Sequence, residues 1–122
     1  MQKVVRVALW LCQALLALMF VGAGSRKFTG SMWARMFARW GYPDHFYLVI
    51  GAAEVLAGLA LLVPQTAAPA ALVLIVIMIG AGVTHARFDE MHRLPQIVIM
   101  SALLAAVAYG RWADAFWRKK RE

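Results

Sequence analysis

The sequence predicts an all-α protein: an integral membrane four-helix bundle with a short interfacial amphipathic helix between its first and second helices. The chain has 122 residues, of which 63% are hydrophobic, and its mean hydropathy is +0.68. A soluble domain of this length cannot bury so much apolar surface. The apolar residues also form four blocks of 17 to 19 residues, each long enough to cross a hydrocarbon core of about 30 Å. We therefore predict one domain, residues 1–122, with spans at about 7–25, 46–63, 67–84 and 94–110.

The first block resembles a signal peptide, because Lys3 and Arg6 precede it and small residues end it. Its 19 uncharged residues are more than the apolar region of a signal peptide usually has. Three further apolar blocks also follow it. We therefore interpret it as the first span.

A short helix over residues 32–40 is predicted in the long segment between the first two blocks. Ser31 can cap its start, and Gly41 can end it. At about 100° per residue, one face of this helix is apolar and aromatic, and Arg35 and Arg39 flank that face. Two interpretations are open: an anchor at the membrane surface, or a lid over the mouth of the bundle. The apolar face consists of Met32, Trp33, Met36, Phe37 and Trp40.

The connections between the later blocks are short. Residues 64–68 join the second and third blocks, which predicts a tight antiparallel hairpin. Pro69 and Pro95 suit the first turns of the third and fourth spans, because a backbone N–H is not needed there.

An even number of spans puts both termini on one side of the membrane. The basic cluster Arg118–Arg121, close behind the fourth block, predicts that this side is cytoplasmic, in a bacterial-type cytoplasmic (inner) membrane. Trp112, Phe116 and Trp117 beside it are predicted to form an aromatic belt. The formal charge of +7 is then explained by basic residues that face anionic lipid headgroups, and no nucleic acid partner is expected.

Glu54 lies in the middle of the second block, where a carboxylate costs about 2.5–3.5 kcal/mol on insertion scales. Gly51, Glu54 and Gly58 follow an i, i+3, i+7 spacing and so share one helical face. Small residues mark the faces at which membrane helices approach each other. Glu54 is therefore predicted to face the interior of the bundle.

Polar side chains of the other spans are predicted to converge with Glu54 on a pocket in the half of the bundle away from the termini. We assign Glu54, His85 and Lys27 as catalytic candidates, for a proton relay or for binding a polar headgroup. Lys27 and His85 lie near the membrane surface, so direct pairing with Glu54 requires staggered helices, an inward reach or intervening water. Alternatively, Glu54 is structural and sets the helix register. Candidate ligand-binding residues are Gln13, Gln96 and Ser101.

No metal site and no intrinsic cofactor are predicted. His45, His85 and His92 lie in different loops, without the spacing of a metal motif. Cys12 is the only cysteine, so the chain cannot form an intramolecular disulfide.

Three segments resemble the DoxX family: residues 24–27 (GSRK), 51–62 (GAAEVLAGLALL) and 80–85 (GAGVTH). The resemblance covers nearly the whole chain, and its most specific part is the G-x-x-E-x-x-x-G element around Glu54. It implies a small four-helix membrane protein of the DoxX/DoxD group. Lys27, Glu54 and His85 are then motif positions of the family.

The resemblance also implies a function. DoxD-type relatives are associated with thiosulfate:quinone oxidoreduction, and other DoxX-like proteins with membrane complexes in oxidative-stress defence. The first hypothesis is therefore the membrane subunit of a quinone-linked redox or oxidative-stress complex, with a quinone as ligand. The alternatives are a membrane-protein chaperone or accessory subunit without catalysis, and a small proton-coupled transporter. Expected partners are the lipid bilayer, a quinone or lipid ligand, and a partner protein or a homo-oligomer.

Overall fold

A computed structural model describes residues 2–115, and the chain is helical over most of this range. Short 3₁₀ turns at Met91–Arg93 and Trp112–Asp114 lie before and after the last long helix. No strand is present in residues 2–115. The predicted basic cluster Arg118–Arg121, and Phe116 and Trp117 of the predicted aromatic belt, lie outside the described residues. The α-helices are α1 (Gln2–Arg26), α2 (Met32–Arg39), α3 (Phe46–Ala60), α4 (Pro64–Arg87) and α5 (Leu94–Gly110).

Each predicted span corresponds to a helix, but the second is shorter than expected. The segments Gln2–Arg26, Pro64–Arg87 and Met91–Gly110 are long and apolar enough to cross a membrane. Helix α3 has 15 residues, or about 22 Å at the rise of an α-helix. It ends early because residues 61–63 turn the chain into α4. Pro64 opens α4, and Pro69 lies inside this helix and not in its first turn.

Two close helix pairs build the structure: α1 packs along α3, and α4 packs along α5. The first pair meets at glycines. A Cβ atom on Gly24 would lie 2.6 Å from the Gly51 carbonyl oxygen, and one on Gly51 would lie 2.9 Å from Lys27 Cβ. Only glycine allows the two backbones to approach this closely.

Contact between the two pairs is concentrated in the half where α3 ends. Leu16, Leu61, Leu74 and Leu104 are fully buried there, one from each of α1, α4 and α5 and one from the turn after α3. In the other half the pairs leave a cavity between them. The position of the core therefore leaves the opposite half open for a site.

The exterior of the protein is unusually apolar. Large aliphatic side chains are exposed along every long helix; Leu18 of α1 is 74% exposed and Val76 of α4 is 68% exposed. Apolar patches of this extent face lipid or another protein. Within residues 2–115, the buried polar side chains are Gln13, Lys27, Glu54, Thr84, His85 and Arg111.

Candidate functional site

A cavity of about 650 Å³ lies in the half of the bundle where α1 ends and α3 begins. All five helices or the residues directly flanking them contribute to its lining. Most of the lining residues of α4 and α5 are apolar; the exceptions are Thr84, His85 and Gln96. The other polar groups come from α1, α2, α3, the segments that follow α1 and α2, and the 3₁₀ turn before α5. The lining side chains that can hydrogen-bond or titrate include Lys27, Trp33, Glu54, Thr84, His85 and Gln96.

A buried ion pair lines this cavity. Lys27 Nζ lies 2.5 Å from Glu54 Oε1, and the two side chains are only 7% and 4% exposed. Lys27 immediately follows α1, and its backbone N–H bonds to the Gly24 carbonyl at 3.1 Å. Because Gly24 packs on Gly51, the end of α1 lies about one helical turn from Glu54. Staggering of α1 against α3 thus allows the direct pairing, without water or a long inward reach.

The Lys27 ammonium also lies against an aromatic ring. Its Nζ is 4.3 Å from the ring centroid of Trp33 in α2. A cation at this position is attracted by the electron-rich face of the indole. Lys27 therefore connects three helices: it directly follows α1, its ammonium pairs with Glu54 of α3, and it lies against the Trp33 ring of α2.

Helix α2 turns its aromatic face toward the bundle. Phe37 is buried, and its ring lies 6.2 Å from the Trp33 ring and 5.3 Å from the Trp40 ring, measured between centroids. These three side chains line the cavity, and we refer to Trp33, Phe37 and Trp40 as the aromatic wall. Of the two interpretations of this helix, the contacts favour a cover over the bundle.

Two polar atoms of the aromatic wall have no partner in the described part of the chain. The indole nitrogens Trp33 Nε1 and Trp40 Nε1 are buried and make no hydrogen bond within residues 2–115. The sequence predicted the apolar face that carries them. It did not indicate that the two indole nitrogens would be buried without a partner among residues 2–115.

His85 lines the cavity but does not pair with Glu54. Its Nδ1 donates to Glu90 Oε1 at 2.7 Å, and its ring meets the edge of Trp40 at a centroid distance of 5.5 Å. This hydrogen bond lowers the pKa of the Glu90 carboxyl below its ordinary value of 4.5. Sequence reasoning missed Glu90; its position five residues after His85, where α4 turns into the next segment, was the available signal.

A second pair ties the segment after α2 to α4. Tyr42 Oη and Thr84 Oγ1 are 2.5 Å apart, and Thr84 Oγ1 donates to the Gly80 carbonyl at 2.8 Å. Since a hydroxyl has one proton to donate, Tyr42 is the donor to Thr84. Both residues line the cavity, and neither was singled out from the sequence.

The predicted ligand-binding residues separate into two groups. Gln96 lines the cavity, where its Nε2 lies 3.8 Å from Met100 Sδ. Ser101 is not among the lining residues. Gln13 lies at the other end of the bundle, where its Nε2 donates to the Leu61 carbonyl at 2.7 Å. Its Oε1 accepts from Arg111 Nε at 2.8 Å, so Gln13 joins the end of α3 to that of α5.

The acidic, histidine and cysteine side chains of the described residues do not form a candidate metal site. Among residues 2–115, no group of three or more such side chains is placed to hold an ion. The polar groups that line the cavity in this range are the Lys27–Glu54 pair, Arg26, Arg93, His85, the indoles and neutral hydrogen-bonding groups.

Residues 2–115 are helical over most of their length and have an apolar exterior, three helices able to cross a membrane and a buried ion pair, which are features of a small helical membrane protein. The sequence profile of the DoxX-like family matches residues 11–110, which is most of the chain. The chain belongs to this family, which confirms the resemblance found in its sequence. The matched range includes Lys27, Glu54 and His85. Neither a search of curated proteins nor a search of solved structures finds a match.

Proposed function

We propose that the cavity binds a quinone and that the protein is the membrane subunit of a quinone-linked redox or oxidative-stress complex. The observation that carries this proposal is the buried Lys27–Glu54 pair at an otherwise largely apolar cavity. Ionisable groups inside a membrane protein are costly and mark functional sites. An amphipathic ligand with a polar head needs this combination of apolar walls and a charged contact.

The residues present fit a quinone. A cavity of about 650 Å³ is within the usual range for small-molecule sites, and the aromatic wall offers flat surfaces to a ring. The Lys27 ammonium has three N–H donors, so it can donate to a quinone carbonyl while it remains paired with Glu54. When bound, a quinone supplies a redox couple that takes up electrons and protons together.

The chain's own residues would hold and move protons at this site. Glu54 keeps Lys27 oriented, and the two side chains can exchange a proton without changing their total charge. His85 is bonded through Nδ1 to Glu90, which orients the ring and leaves Nε2 as the nitrogen that accepts a proton. With its single cysteine the chain has no dithiol, so a partner redox protein supplies the electrons.

The test is the Glu54→Gln variant, measured as quinone-dependent activity of membranes that contain the partner complex. We expect activity to fall at least about tenfold, the scale on which loss of a positioned proton-transfer group acts, with unchanged insertion. Ser101→Ala is the matched control, because Ser101 lies outside the cavity lining. Full activity of Glu54→Gln would overturn the proposal. A stoichiometric partner that copurifies without any ligand would favour an accessory subunit without catalysis.

The proposal includes four spans, α1, α3, α4 and α5, in the cytoplasmic membrane, with both termini in the cytoplasm. The 15 residues of α3 are short for a bilayer, and local thinning accommodates such helices. The number of spans can be tested, because an even number puts both termini on the same side of the membrane. If α3 does not cross, the remaining spans put the termini on opposite sides, which reporters fused to each end would reveal.

A further inference from the structure

The aromatic wall carries two hydrogen-bond donors that the described protein leaves unused. Trp33 Nε1 and Trp40 Nε1 are buried, and neither has a partner among residues 2–115. Nearly all buried polar groups in proteins are hydrogen-bonded, so each exception requires an explanation. Both indoles line the cavity, where a ligand can supply the missing acceptors.

The two donors stand at separate ends of the same wall. Trp33 and Trp40 are seven residues apart, which puts them on one side of α2 and about 10 Å apart along its axis. The Phe37 ring lies between them. Lys27 stands next to Trp33 at 4.3 Å, and His85 stands next to Trp40 at 5.5 Å. Each end of the wall therefore combines an unused indole donor with a titratable group.

The charge of the cavity lining restricts which ligand head groups can bind. Among the described residues, Arg26, Lys27 and Arg93 line the cavity; Glu54 pairs with Lys27 and Glu90 interacts with Arg93, so within this range Arg26 has no carboxylate partner at the cavity. An excess of positive charge disfavours a cationic amphiphile, since like charges brought together out of water repel strongly. An indole N–H can only donate. The favoured head group therefore presents acceptor atoms and is neutral or anionic.

We infer that Trp33 and Trp40 donate hydrogen bonds to two acceptor oxygens at opposite ends of one planar head, the arrangement of a para-quinone. A carboxylate has both oxygens on one carbon and reaches only one end of the wall. This inference rests on the proposed function and adds a selectivity to it. The indole contacts favour the oxidised quinone, because a carbonyl oxygen is a stronger acceptor than the hydroxyl oxygen of a quinol, whose protons are left to Glu54 and His85.

Binding to the full-length protein in lipid nanodiscs tests the inference, with decylubiquinone, decylubiquinol and decanoate as probes. We expect Trp33→Phe and Trp40→Phe each to raise the Kd for decylubiquinone about two- to tenfold, the effect of one neutral hydrogen bond. Phenylalanine keeps an aromatic face and removes only the N–H. Trp10→Phe is the matched control, because Trp10 packs on Arg111 outside the cavity.

A measurement on the unmodified chain removes the dependence on variants that fold poorly. In a nitrogen-15 spectrum, the indole N–H signals of the five tryptophans report their hydrogen bonds directly. Decylubiquinone should move two of these signals downfield, and decylubiquinol should move them less than the quinone does.

The outcomes separate this inference from the proposed function. Quinone binding with no indole shift and unchanged Kd in both variants would overturn the inference and leave the proposed function intact. Absence of quinone binding, together with indole shifts on adding decanoate, would overturn the proposed function and the para-quinone assignment. Quinone binding that weakens in both tryptophan variants and shifts two indole signals supports both.

Discussion

The Lys27–Glu54 pair permits a quantitative test, because the two side chains are only 7% and 4% exposed. Lys27→Met removes the charge and keeps most of the side-chain length. Glu54 then remains buried without its partner. Breaking a buried ion pair from one side costs about 3–5 kcal/mol, because it leaves a buried charge without a partner.

The double variant Lys27→Met/Glu54→Leu should behave differently. Both charges are absent, so no uncompensated group is buried, and replacement of such pairs by apolar residues is often neutral or stabilising. We expect its stability to return to within about 1 kcal/mol of the unmodified protein. The double-mutant cycle should then give a coupling energy of at least about 2 kcal/mol.

Reversible unfolding in mixed detergent micelles, followed by circular dichroism, measures these differences. Lys3→Met is the control, because Lys3 is exposed at the start of α1 and its loss should change stability by less than about 0.5 kcal/mol. A loss below about 1 kcal/mol in Lys27→Met, or additive effects in the double variant, would refute the assignment of a coupled buried pair. A stable double variant that no longer binds decylubiquinone would assign the pair to function and not to helix register.

Two further predictions concern helix packing and pH. Gly24→Ala should destabilise the protein by about 1–3 kcal/mol in the same assay, because its Cβ would lie 2.6 Å from the Gly51 carbonyl oxygen. Gly22→Ala is the control and should leave stability unchanged, because a Cβ at Gly22 would have nothing within 4 Å. Equal stability of the two variants would contradict the close packing of α1 on α3. The His85 hydrogen bond lowers the pKa of Glu90 from 4.5, so its stabilising contribution is complete above pH 4.5 and is lost as the pH falls through the lower, folded-state value. Thermal melting from pH 7 to pH 3 should therefore show an acid-induced loss that is smaller in Glu90→Gln, and identical profiles would argue against this role of the pair.

Local pattern in the sequence predicted the helices well and their ends less well. The amphipathic helix predicted at 32–40 is present at Met32–Arg39, since its face and its flanking residues are properties of the segment alone. The span predicted at 46–63 is a helix only as far as Ala60, and residues 61–63 form a turn. Hydropathy cannot distinguish an apolar helix from an apolar turn, and here Pro64 begins the next helix at once.

Some of the residues proposed from the sequence line the cavity and others do not, and the physical reason differs between them. Lys27, Glu54, His85 and Gln96 all line one cavity, because helix direction alone brings them to the same half of the bundle. Gln13 belongs to the opposite end, where it bonds to the Leu61 carbonyl. Its position along α1 depends on how far that helix slides past α3, which no pattern within α1 reveals.

The sequence by itself determined that this protein is helical and apolar, that Glu54 faces inward, and that the chain belongs with the DoxX proteins. These properties follow from composition, from the helical period and from a local motif. Only the tertiary structure decided that Lys27 and not His85 pairs with Glu54, and that the cavity-lining Trp33 and Trp40 have buried indole nitrogens without a partner in residues 2–115. Both depend on contacts between distant segments: the close approach of Gly24 to Gly51 sets the stagger of α1, and the packing of Phe37 turns α2 onto the bundle.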